Sequence, residues 1–333
     1  APAETCLNAT EVPLDSLSVS APGSVMFLLD DSGSMDFEIL VQGNDDGRFG
    51  NLEECYVFDD PGDNAYSDSV RYFSSDDKRD YRSQWSGYNF VYYDPAIDYN
   101  PWPNWQNING VDAANWPELP NANPDNPRSD PVEDTYTVDL DQTYYTVDDV
   151  NGNTIDVKYS HFFQPYNGSI YLVNINGDDS AIEAYQLIDE SDNYIHDGDL
   201  QEISNLPEDS IYQGNYTSQR QNFANWFSFY RRRELAAKAA VGNVIAGMNG
   251  VRIGILGINE SVVQPLLPVK LDNNGTFEDD TDQLLESLYI DYSASGGTPL
   301  RGGLKMLGEY YQNNDGALSG VSGEAPFYSQ EDG

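Results

Sequence analysis

The chain has 333 residues, 39% of them hydrophobic and 13% aromatic, which is enough apolar material for one large domain or two ordinary ones. Against 16 Lys and Arg stand 56 Asp and Glu, a net charge of −40 that excludes nucleic acid and an anionic membrane face as partners. Divalent cations, basic partners and a salty milieu stay open, and most of the carboxylates read as a solubility adaptation to high salt.

The chain opens with APAETC, which suits a mature end left by a cleaved secretory signal. Its two cysteines, Cys6 and Cys55, and two histidines, His161 and His196, are too few and too dispersed for a thiolate zinc site. In an exported protein Cys6 and Cys55 are expected to pair, closing a loop of about 50 residues and stabilising by roughly 4 kcal/mol. Two buried free thiols are the alternative.

Residues Ser24 to Leu29 form an unalternating apolar run, the pattern of a strand covered on both faces in a parallel sheet. The run stops at Asp30-Asp31-Ser32-Gly33-Ser34. In open α/β sheets ligands gather just beyond the carboxyl ends of strands, so this end is a candidate site.

From residue 36 to 220 the α/β pattern gives way to Asn, Asp, Tyr, Pro and Trp, and the stretch reads as an insertion. Its first half, including YNFVYYDPAIDYNPWPNW (88–105) and NANPDNPRSDP (121–131), is expected to be irregular and pinned by buried aromatics. The second half reads as strands, with Asn-Gly at 151, 167 and 176 marking hairpins.

Helical spacing returns at Gln221 and runs to Met248, with Arg231, Arg232 and Arg233 pointing in different directions along it. A buried strand is expected over 251–258, and a strand over 262–269 that Pro265 and Pro268 confine to an edge. A short helix around Asp282–Tyr289, the loop SASGGTPLRGGL (293–304) and a helix toward Tyr311 follow. Thr298 caps this last helix and Pro299 takes its first position.

Alternate positions in a chain leaving a strand can converge, so Asp30, Ser32 and Ser34 can offer one carboxylate and two hydroxyls to a cation, with Asp31 and Gly33 facing elsewhere. Oxygen ligands favour hard ions, Mg²⁺ first and Mn²⁺ or Ca²⁺ next. An isolated D-x-S-x-S is more often a turn before a helix cap. Here it follows a buried strand, and a second hydroxyl loop, Gly296-Gly297-Thr298, comes after the later strands.

FLLDDSGSM, a helix with AAKAA, the strand VRIGILGI and GGTPLRGGL together resemble the von Willebrand factor type A domain, a Rossmann-like α/β fold with a metal-ion-dependent adhesion site. YYDPAIDYNPW and NFANWFSFYRRRELAAKAA resemble type IV pilus tip-associated adhesins of the PilC/PilY family, which carry a large insertion after the metal motif. The resemblance implies an incomplete type A domain, with residues 1–35 and 221–333 as its two parts and a β-rich and loop-rich insertion over 36–220. It further implies Asp30, Ser32, Ser34 and Thr298 as metal ligands. The family's aspartate in a TDG setting and its C-terminal β-propeller have no counterpart, so the chain is expected to be the amino-terminal part of a longer protein.

That family implies an exported protein at the pilus tip or cell surface, partnered by minor pilins and by a host or abiotic surface, and the residues themselves do not read as an enzyme. The insertion is expected to border the metal; packing on a distant flank is the alternative. A structural factor priming pilus assembly, and an intracellular type A domain serving a metal chelatase or ATPase, are the rival functions. No nucleophile stands beside a base and no phosphate-binding glycine loop is present. DNNGTFEDD (272–280) lacks the glycine and glutamate of a calcium loop and reads as a solvated acidic turn, and His161 and His196 read as structural or exposed.

Overall fold

The computed structural model describes residues 22–41, 56–58, 78–108, 111, 116, 118–132, 136–175, 182–188, 216–259, 261–273 and 275–312. Cys6, Cys55, His196 and the Asn-Gly at 176 lie outside them. In chain order the strands are β1 (Gly23–Leu29), β2 (Thr143–Asp148), β3 (Thr154–Lys158), β4 (His161–Tyr166), β5 (Ser169–Ile175), β6 (Ile182–Ile188), β7 (Val251–Gly257), β8 (Ser261–Val269), β9 (Leu271–Asn273) and β10 (Thr276–Glu278). The helices are α1 (Tyr216–Phe229), α2 (Arg233–Gly247), α3 (Thr281–Glu286) and α4 (Leu300–Gln312). The architecture is mixed helix and sheet, with several small sheets.

One sheet has the order β1-β7-β8. β1 pairs with β7 in parallel, residue for residue from Gly23–Val251 to Leu29–Gly257, and everything from residue 30 to 250 forms the crossover between them. β8 runs antiparallel on the far side of β7, where its two prolines lie at the edge as expected. β7 is the buried strand, with Ile253, Ile255 and Leu256 fully enclosed. The expectation that β1 is covered on both faces is corrected: Ser24–Leu29 are only partly buried, and among the described residues the strand is an edge paired with β7 alone. Gly303 of α4 lies so close to the end of β7 that an added Cβ would sit 2.8 Å from Ile258 Cα, so only glycine permits this helix–strand approach.

The helix expected from Gln221 to Met248 is two helices, broken at Tyr230–Arg232. The break has a charge at its centre. Arg231 is 1% exposed and its Nε donates to Glu38 Oε1 at 2.6 Å, while Glu38 Oε2 accepts the backbone N–H groups of Val57 and Phe58 at 2.7 and 2.9 Å. Arg231 also donates to the Ser129 carbonyl and lies over the Phe227 ring. Arg232 pairs with Asp36 at 3.1 Å, and Arg233 donates to the Ile39 carbonyl. Thus the three arginines tie the start of the insertion to the helix pair. A continuous helix would aim Arg231 elsewhere and leave Glu38 buried without its charge partner, which costs several kcal/mol.

In the insertion, β2–β3 and β4–β5 are antiparallel hairpins, the second closed by Asn167 and Gly168 in left-handed conformations at φ 45° and 76°. β6 joins β5 to complete a three-stranded meander. The described residues of the first half are irregular as expected, with 3₁₀ turns at Lys78–Gln84 and Trp105–Asn107. It is fixed by long-range bonds from indoles to backbone: Trp102 Nε1 to the Phe229 carbonyl and Trp226 Nε1 to the Val91 carbonyl, both 2.9 Å. One core runs without interruption from Ile253 and Ile255 of β7, through Leu235, Trp226 and Phe227, to Trp102 and Tyr92 of the insertion. A second core, with Trp85, Phe163 and Leu172, lies inside the insertion. Within the acidic stretch β9 and β10 pair antiparallel, and Asp272 accepts the Gly275 N–H at 2.8 Å. No helix among the described residues is long and apolar enough to cross a membrane.

Candidate functional site

Parallel pairing sets the ends of β1 and β7 side by side, so the residues after Leu29 and after Gly257 leave the sheet together. Ile258 N donates to the Leu29 carbonyl at 2.9 Å, extending the ladder by one bond before the strands part. Asp30 then turns its carboxylate back, Oδ1 accepting the Ser32 N–H at 2.9 Å. Gly33–Asp36 form a single 3₁₀ turn, closed by Met35 N to the Ser32 carbonyl. This turn places Ser32 Oγ and Ser34 Oγ 3.1 Å apart. Asp30 and Ser34 are partly exposed, whereas Ser32 is buried.

Asp31 takes partners other than those of Asp30 and has a role of its own. It is 6% exposed, and its Oδ1 accepts both Asn259 N at 2.9 Å and Asn259 Nδ2 at 2.8 Å. The loop after residue 292 docks onto this turn through two backbone bonds: Ser295 N to the Asp31 carbonyl at 2.7 Å and Gly33 N to the Gly296 carbonyl at 3.1 Å. Gly33 lies between the two serines, and Thr298 lies two residues beyond Gly296. The structure therefore brings Asp30, Ser32 and Ser34 into one turn and bonds the Thr298 loop to it, with Thr298 exposed.

The same loop is held from two further sides. Glu234 Oε2 accepts Ala294 N at 2.6 Å, while Glu234 Oε1 pairs with the buried Lys238 at 2.6 Å. Tyr292 donates its hydroxyl to the Asp30 carbonyl. Burial, and then the negative charges of Glu234, Asp30 and Asp31, hold that phenol well above its ordinary pKa, so it remains a donor. Asn259, Glu234 and Tyr292 were not singled out from sequence. Asn259 alone had a readable signal, since it follows a buried strand as Asp30 does.

The donors suit a hard cation. Cis oxygens around an octahedral Mg²⁺ with bonds of 2.0–2.1 Å stand about 2.9 Å apart, close to the serine separation, which a hydroxyl–hydroxyl hydrogen bond equally explains. No group of three or more His, Cys, Asp or Glu able to hold a metal occurs among the described residues, so any cation here relies on hydroxyls. Away from this site, His161 is fully buried, with Nδ1 2.5 Å from the Lys158 carbonyl and Nε2 3.3 Å from the Tyr145 hydroxyl. Burial pushes its pKa down to about 4, so it is a neutral packing residue at ordinary pH. The chain leaves the serine turn after Met35, and Asp36, the next residue, accepts the Tyr56 hydroxyl at 2.6 Å.

No protein-family model matches the chain, and no solved structure matches it. Among curated proteins the chain is similar to the type IV pilus biogenesis factor PilY1 of Pseudomonas aeruginosa, 32% identical over 114 residues. That stretch is 32% of this chain and 9% of PilY1. The chain therefore matches only a small part of that protein's length.

Proposed function

We propose that this chain belongs to an extracellular adhesin at the tip of a type IV pilus, and that its sheet is part of a von Willebrand factor type A domain. Asp30, Ser32, Ser34 and Thr298 would hold a divalent cation, Mg²⁺ first and Mn²⁺ or Ca²⁺ next. A cation with a single protein carboxylate stays short of negative charge and supplies a Lewis-acidic point for a carboxylate on a surface or protein partner. The insertion borders that point, in keeping with the Tyr56–Asp36 bond beside the motif. The observation that carries this reading is the Gly33–Gly296 bond, which docks a threonine loop onto a turn with paired serine hydroxyls.

Thermal unfolding of the chain with Mg²⁺, Mn²⁺ or Ca²⁺ tests it, since a ligand of the native state raises Tm. A rise abolished by Asp30→Ala and by Thr298→Ala is expected. A rise indifferent to both places the ion elsewhere. PilY1 is a biogenesis factor, which favours a second reading in which this protein primes pilus assembly with minor pilins. An Asp30→Ala strain separates the two: normal pili with lost attachment support adhesion, and disturbed piliation with intact attachment per remaining pilus supports assembly.

A further inference from the structure

We infer that Asn259 is the positioning residue of this site: acting through Asp31, it latches the Thr298 loop against the turn that carries Asp30, Ser32 and Ser34. This rests on the reading of the two loops as a cation site.

The bonds converge on one side chain. Asn259 Nδ2 reaches Asp31 Oδ1 at 2.8 Å and the carbonyls of Ser295 and Gly297 at 3.0 Å each, while its backbone N–H reaches Asp31 Oδ1 at 2.9 Å. A single amide thereby spans the ends of β1 and β7 and both sides of Gly296. Gly296 is fitted to it. Its φ of +81° is costly for any side chain, and an added Cβ would lie 3.1 Å from Asn259 Oδ1. The chemistry requires an amide: Asp31 and the two carbonyls only accept, so the centre must donate, and a carboxylate of the same shape cannot. Asp31 is nearly buried, and its charge is offset by these donors. The hydroxyl of Thr298 therefore has its distance from Ser32 and Ser34 set by a residue that itself offers the cation nothing. Such outer residues commonly change metal affinity by 10–100-fold.

The test uses the chain with Mn²⁺ alone, read by electron paramagnetic resonance, together with amide hydrogen exchange of the metal-free protein. Asn259→Asp and Asn259→Ala are expected to speed exchange across 293–299 while β7 stays protected, and to weaken Mn²⁺ binding about tenfold or more. Asp31→Ala is expected to do the same. Asp31→Asn keeps an oxygen for both Asn259 donors and is expected to keep exchange across 293–299 close to wild type, a rescue that a mere loss of packing would not show. Gly296→Ala strains the same latch, should the Asn259 variants fail to fold. Folded Asn259→Asp, Asn259→Ala or Gly296→Ala variants with wild-type exchange across 293–299, or with wild-type Mn²⁺ affinity, overturn the inference. If the wild-type chain binds no Mn²⁺, the cation reading falls, and the exchange comparison alone decides whether Asn259 holds the loop.

Discussion

The three-stranded sheet and the aromatic insertion solve the same problem by opposite means. In the sheet, order comes from backbone pairing: β1 and β7 match residue for residue, and apolar side chains fill in around them. Among the described residues of the first half of the insertion there is almost no ladder, and they are fixed by single side chains that cross long stretches of sequence, such as Trp102 to the Phe229 carbonyl and Asn225 to Ala122 N. The first kind of order is distributed and tolerates local change. The second is concentrated in a few groups whose loss leaves buried polar atoms unsatisfied.

The sharpest way to break that contrast is Arg231→Ala. It leaves Glu38 buried with two backbone donors and no counter-charge, and a loss of about 3–5 kcal/mol is expected in denaturant unfolding. A loss under about 1 kcal/mol would mean that the insertion is not held at this point. Acid should act next, through His161 in the second core. Its pKa is about 4 folded and about 6.5 unfolded, so below pH 6.5 the unfolded chain takes up a proton that the folded one refuses. Stability is therefore unaffected above pH 6.5 and falls as pH drops toward 4, by about 3 kcal/mol on this account. His161→Asn, whose amide can replace Nδ1 toward the Lys158 carbonyl, should flatten that slope; an unchanged slope would assign the loss to other groups. The smallest effect is expected in the sheet, where Gly303→Ala forces α4 away from Ile258 and costs about 1–3 kcal/mol by overpacking.

The same division decided what could be read from sequence. The apolar run of β1, the proline-marked edge strand β8, the Asn-Gly hairpin of β4 and β5 and the last helix are all local patterns, and each forms close to where its residues say. The turn of Asp30, Ser32 and Ser34 was legible for that reason, because its geometry lies within five residues. Asn259 and Asp31 are 228 positions apart, and Arg231 and Glu38 are 193 apart, so no window of sequence contains either pair. The helix break at Tyr230–Arg232 was missed on the same ground: the apolar spacing continues through it, and only the distant carboxylate shows why the helix stops.

The Arg231–Glu38 pair also sets a clock. A ribosome adds roughly 5–20 residues each second, so a bond across 193 positions cannot close until roughly 10–40 s after Glu38 has been made. β1 waits longer still for its parallel neighbour, since contacts of such long sequence separation carry the loop-closure penalty that slows folding. Through that interval the first strand is a bare apolar ribbon, and the newborn chain is at its most exposed to capture by anything that recognises an unpaired strand.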